Sequence, residues 1–246
     1  MRNLYLITKE DFMNLIKNPM WIFYATVFPL CMIGILGFLS KDSYGSVVTS
    51  YDYYGITLMI YAAISSGMTA ANTFMEERIK KPNMRIVFAP GNVKFIYLSK
   101  ILASFLFTTI FSMFDIVVME LLFHVRLKSD GLLFILFMES VLFSVTLGIM
   151  LCCIFKKETT TNQIQSMVIN LLAIFGGVMF SLDRYGHTLQ IVSLLSPIKW
   201  IVNAAFEMIY DADMHLFLPT SVIMCVCIIG MLFVCKKTFH QEDCIC

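Results

Sequence analysis

The sequence predicts an all-α membrane protein: six transmembrane helices, an N-terminal interfacial helix, and a re-entrant helical pair between spans five and six. Three observations carry that expectation. Of 246 residues, 59% are hydrophobic and 14% charged, against roughly 45–50% and about 25% in soluble domains. Apolar runs recur at the length a bilayer requires, about 20 residues for a core about 30 Å thick. Lys and Arg fall unevenly on alternate connecting segments, as they do in membrane proteins of fixed orientation. The near-balance of 18 Lys and Arg against 17 Asp and Glu leaves no global field to attract nucleic acid or acidic substrates.

The elements follow in order. Thr8-Lys9-Glu10-Asp11 reads as a capping box that opens a short helix, closed by Asn18-Pro19. Phe12, Leu15 and Ile16 share a face from which Lys9, Asp11 and Lys17 point away, the pattern of a helix lying in the inner interface. Spans one and two, at residues 20–40 and 54–75, sit in charge-free runs. Spans three and four, 101–124 and 132–155, are apolar but carry acids: Asp115 and Glu120 in the first, Glu139 in the second. Glu120 and His124, one helical turn apart, read as an interfacial pair. Spans five and six fall at 162–182 and 214–235. Together they make one domain over residues 1–246, with no room for a separate soluble unit.

Residues 183–213 are too many for a simple connection. They are apolar from 189 to 210 apart from Lys199 and Glu207, and Pro197 interrupts them. Two short helices that dip into the membrane and return fit that pattern. A seventh span would have to bury Lys199 or Glu207 and would put the C-terminus outside.

With the N-terminus inside, 13 cations fall on inner segments and 5 on outer ones, so both termini are expected in the cytoplasm. The first apolar run is too long for a cleaved signal peptide. Six of the eight cysteines lie in or beside apolar spans and two, Cys244 and Cys246, in the tail, so no disulfide framework is expected.

The segment between spans two and three, from Glu76 to Lys100, holds six basic and two acidic residues, broken by Pro82, Pro90 and Gly91. Such a loop can form short helices on the membrane surface, its cations offered to lipid phosphates or to a partner.

These residues resemble the ABC-2-type permeases, the membrane subunits of ATP-binding-cassette exporters. That family carries after its second span a motif of the form E-R-E-x-G-T-L-E-x-L-x-x-T-P and, further on, Gly-Lys. This chain is similar at Glu77-Arg78, Ile86, Pro90 and Lys100, and it departs at Ile79, Lys81-Pro82, Ala89 and Ser99. The resemblance extends to Lys17-Asn18-Pro19 before span one. It also covers Gly176-Gly177 at the end of span five and the external stretch Ser196-Pro197-Ile198-Lys199-Trp200. It implies that Glu76, Glu77, Arg78, Pro90 and Lys100 couple the chain to an ATPase subunit. Gly176, Gly177, Ser196, Pro197 and Trp200 would then form the external re-entrant segment. It further implies ATPase partners, a second permease in a homo- or heterodimer, contact with membrane lipid, and residence in a plasma membrane of bacterial type.

No P-loop string G-x-x-x-x-G-K-[ST] occurs, so the chain offers no cradle for nucleotide phosphates. No cofactor is expected here; ATP and Mg belong on the partner. The chain is expected to be a transport subunit and not an enzyme.

Asp115 and Glu139 fall at matching depth in spans three and four. Charges there cost about 2.5–3.5 kcal/mol each on insertion scales. Two readings stand: the acids line an outward part of a substrate path that favours cationic or amphipathic cargo, or they are structural, sharing a proton or bonding to Ser and Thr. The expected function is export of a small lipophilic or amphipathic substrate, such as a drug or antimicrobial peptide. A gradient-driven transporter or channel is the first alternative, although the two halves of the chain show no repeat. An intramembrane protease is the second, suggested by Glu76-Glu77, but position 81 is Lys where Arg is needed.

Overall fold

The computed structural model describes residues 2–45, 48–75, 94–125, 131–178, 186–194, 196–211 and 213–238. Every regular element among them is helical. Five helices are long and apolar enough to cross a membrane, so the chain is an all-α membrane protein.

Helix α1, Arg2–Lys17, starts earlier than the capping-box pattern implies. Thr8 lies in its interior, and its hydroxyl has no hydrogen-bond partner. The residues before it, Asn3-Leu4-Tyr5-Leu6-Ile7, contain no breaker, so the helix propagates through them. Asn18 ends α1 and starts the next helix: its Oδ1 accepts from the Met20 N–H at 3.1 Å, with Pro19 at the first helical position. Helix α2, Pro19–Leu39, contains a π-helical turn at Phe23–Val27. Helices α3, Ser50–Met75, α4, Lys94–Phe123, and α5, Gly131–Phe155, follow. The expected Glu120–His124 pair does not form: α4 ends at Phe123, and His124 turns away with φ at +53°.

Helix α6, Glu158–Phe175, ends seven residues short of the expected boundary at 182. The reason is a Schellman closure. Gly177 adopts φ +75°, its N–H bonds the Ile174 carbonyl, and the Val178 N–H bonds that of Ala173. Only a residue without Cβ takes that conformation cheaply. Two short helices come next, α7, His187–Ser193, and α8, Pro197–Phe206, which a π-helical turn extends over Glu207–Asp211. Lys199 is buried in α8 at 5% exposure, so its burial does not require the seventh span weighed above. The last helix is α9, Phe217–Thr238.

Helix α3 is the centre, packed by α2, α4, α5, α6 and α8. Its contact with α5 is the most extensive between described helices. A Cβ on Gly148 would lie 2.2 Å from the Gly67 carbonyl oxygen, and one on Gly67 would lie 2.2 Å from that of Ser144. Small residues let backbones meet this way inside membranes. The Gly67 N–H donates to Ser144 Oγ at 3.0 Å, and Ser144 Oγ–H donates to the Ile64 carbonyl. One turn on, the Cys152 thiol donates to the Ala71 carbonyl at 3.7 Å. Since Ile64, Gly67 and Ala71 meet Ser144, Gly148 and Cys152 in that order, α3 and α5 run parallel. Helix α9 joins them in the same direction: Ser221 bonds Glu139, and the thiols of Cys235 and Cys153 are hydrogen-bonded.

Helix α6 runs the opposite way. Tyr53 donates to the Gly177 carbonyl at 2.5 Å, Tyr61 to Asn170 Oδ1 at 2.8 Å, and Asn162 to Asn72 Oδ1 at 2.6 Å. These bonds tie α6 and the turn after it to α3 from end to end.

Candidate functional site

Two helix junctions and two acids hold the candidate residues. The first junction fixes α1 to the start of α4. Asp11, expected on a solvated face, is 5% exposed. Its carboxylate accepts from the Lys100 ammonium and, at 3.2 Å, from Ser99 Oγ; the Ser99 hydroxyl also reaches the Ile96 carbonyl at 2.7 Å. Burial pushes the Asp11 carboxyl above its ordinary value, and the Lys100 ammonium pulls the other way. Lys100 itself has 0% exposure, and its ammonium is engaged by Asp11 within this chain. Glu76, Glu77, Arg78 and Pro90, which the resemblance groups with it, lie outside the described residues.

The second junction lies at the opposite end of α3, and it holds the five residues that the resemblance assigns to an external segment. Ser196 Oγ donates to the Leu172 carbonyl at 2.7 Å, reaching back to the last turn of α6. Pro197 begins α8, whose Ile198 packs so tightly on Gly176 that a Cβ there would fall 2.7 Å from Ile198 Cγ2. Gly177 offers its carbonyl to Tyr53, whose ring lies tilted by 33° against that of Phe206, 5.6 Å between ring centres. The Trp200 indole N–H donates to the Leu194 carbonyl at 2.8 Å, closing the turn between α7 and α8.

The two acids are not joined to each other. Glu139 Oε1 accepts from Ser221 Oγ at 2.7 Å, a bond from α5 to α9, while its Oε2 has no partner. Asp115 on α4 is 1% exposed, and neither carboxyl oxygen has a hydrogen-bond partner. Among the described residues no three His, Cys, Asp or Glu side chains gather closely enough to hold a metal ion. Sequence reasoning missed Asp11, although it lies one helical turn before the buried Leu15 on the same face.

The chain matches the family described as ABC-2 type transporter over residues 2–210, and it belongs to that family. The fold is therefore the membrane domain of an ABC transporter permease, a transport subunit. A comparison with curated proteins finds no match.

Proposed function

We propose that this chain is the permease subunit of an ABC exporter, driven by ATP hydrolysis on separate ATPase subunits and paired with a second permease, identical or similar. Its cargo is a small lipophilic or amphipathic molecule, such as a drug or antimicrobial peptide. The observation that carries the reading is family membership over residues 2–210 in a chain that has no phosphate-binding loop of its own.

In this reading α6 is a sixth span. Its 18 residues measure about 27 Å, and its end-to-end antiparallel match with α3 supports it. Helices α7 and α8 are the re-entrant pair at the outer face, and both termini lie in the cytoplasm of a bacterial cell, as the 13-to-5 distribution of cations favours. The segment holding Glu76, Glu77, Arg78 and Pro90 receives the ATPase. Lys100 then acts as a positioning residue, passing movement of that segment to α1 through Asp11. Asp115 and Glu139 line or brace the outward part of the path.

Co-purification with the ATPase subunit, followed by an ATPase assay in lipid, tests the reading. Glu77→Ala with Arg78→Ala should release the ATPase from a permease that is still folded. Transport by the purified chain alone, with an ion gradient and no nucleotide, would favour the gradient-driven alternative.

A further inference from the structure

We propose that Asp115 is a proton-binding site of this membrane domain: it holds a proton in the conformation described here and exchanges it only when the helices around α4 part. An ionised carboxylate is a pure acceptor with about four lone-pair positions to fill. At Asp115 none is filled, and 1% of the residue reaches the surface. Glu139 shows the contrast at similar depth, since it has found a hydroxyl donor on α9. An isolated carboxylate in an apolar interior takes up a proton sooner than it stays charged.

No counter-charge is available among the described residues. Helix α2, whose π-helical turn packs on α4, has Tyr24 and Cys31 as its titratable groups and no charged residue. On α3 the sole charge is Asp52, which is bonded to Thr49, and the other titratable groups are Tyr51, Tyr53, Tyr54 and Tyr61. Helix α5 offers Glu139, Cys152 and Cys153. On α4 itself Glu120 is exposed, and Lys100 is engaged by Asp11 fifteen residues away, about 22 Å along the helix. On α1, Lys9 and Glu10 beside Asp11 and Lys17 at the helix end are all exposed.

The surroundings suit a proton better than a larger ligand. Asp11 meets Lys100 and Gly34 approaches Phe123; the same offset sets Thr26, buried in the π-helical turn, level with Asp115. On the buried side of α4, Ser104 and Thr108 follow one another by a helical turn between Lys100 and Asp115. The row stops short of the acid: Ser104 Oγ and both Asp115 oxygens have no hydrogen-bond partner, so Asp115 keeps its proton without a hydrogen-bonded relay along α4. Opening the α2–α4 contact would admit water and let Asp115 ionise, which ties proton occupancy to helix position.

Two measurements on the purified full-length chain in lipid vesicles test this. Dicyclohexylcarbodiimide adds to protonated carboxyls in apolar surroundings and rearranges to a stable N-acylurea, located by peptide mass spectrometry. Asp115 should be modified at neutral pH and progressively less as pH rises; Asp115→Glu should retain the reaction and Asp115→Asn abolish it. Infrared difference spectra, wild type minus Asp115→Asn, should show a protonated carboxylic carbonyl band at neutral pH. If the Asn variant does not fold, the Glu variant supplies the subtraction through its shifted band. A carboxylate signature for Asp115 at neutral pH overturns the proposal, whatever the reagent does.

Discussion

Removing one member of the Asp11–Lys100 pair should hurt far more than removing both. Lys100 is fully buried and Asp11 nearly so, and the pair joins α1 to α4. Breaking a buried ion pair by deleting one partner costs about 3–5 kcal/mol, because the remaining charge is stranded; replacing both with apolar groups of similar volume is often neutral or stabilising. Asp11→Leu strands an ammonium, Lys100→Met strands a carboxylate, and the double variant strands neither. Thermal unfolding in detergent should put each single variant on the order of 10 °C below wild type, at about 2–4 °C per kcal/mol for a chain of this size. The double variant should lie within a few degrees of wild type. The carboxyl adds a pH signature. Because burial raises its folded value above the usual one, the native state holds the proton more tightly than the unfolded chain. Its contribution to stability is therefore fully present below the unfolded value and is lost as pH rises through the raised one. Asp11→Asn should remove that slope. Additive losses, with the double variant as unstable as the sum of the singles, would refute the claim that the two charges compensate each other.

Three further outcomes follow from the packing. Gly148→Ala should destabilise by about 1–3 kcal/mol or more, since the new Cβ meets the Gly67 carbonyl at 2.2 Å with no side chain to move aside; reversible unfolding in mixed micelles measures it. Gly177→Ala should cost about 1–2 kcal/mol, because φ is +75° there, and protease susceptibility of the α6–α7 connection should rise. A double-mutant cycle of Glu139→Gln and Ser221→Ala should give a coupling of about 0.6 kcal/mol, the average for interhelical hydrogen bonds in a membrane.

What the sequence revealed, and what it hid, divides by range. Span positions were legible because bilayer thickness imposes a run length, and four helices lie within a few residues of expectation. The end of α6 was misplaced although its signal was present: Gly176-Gly177 is the closing signature, and apolar residues beyond it extended the run without extending the helix. Small residues at Gly67 and Ala71, and at Ser144, Gly148 and Cys152, repeat at helical spacing and foreshadow the α3–α5 contact. The partner of Asp11 could not be read at all. It lies 89 positions away, and the one local cue, Leu15 four residues on and also buried, gives the side of α1 that the acid shares and not what it meets.

The two kinds of joint differ in how they yield. At the α3–α5 contact backbone meets backbone, and the carbonyls of Gly67 and Ser144 lie where any Cβ would be. Sliding one helix past the other moves peptide groups into each other, so the pair behaves as one body, and α9 is tied to it at both Glu139 and Cys153. The α1–α4 joint is made by side chains instead. Lys100 reaches Asp11 through a four-carbon stem with several rotatable bonds, and Ser99 adds a single hydroxyl contact. That joint can follow small displacements without breaking. The segment after α3 is anchored at one end to the rigid body, through Met75, and at the other to the compliant one, through Lys94. A push on it is resisted on the α3 side by peptide backbone and on the α4 side by flexible side chains. Relative movement of α1 and α4, the latter carrying Asp115, is therefore easier than sliding of α3 against α5.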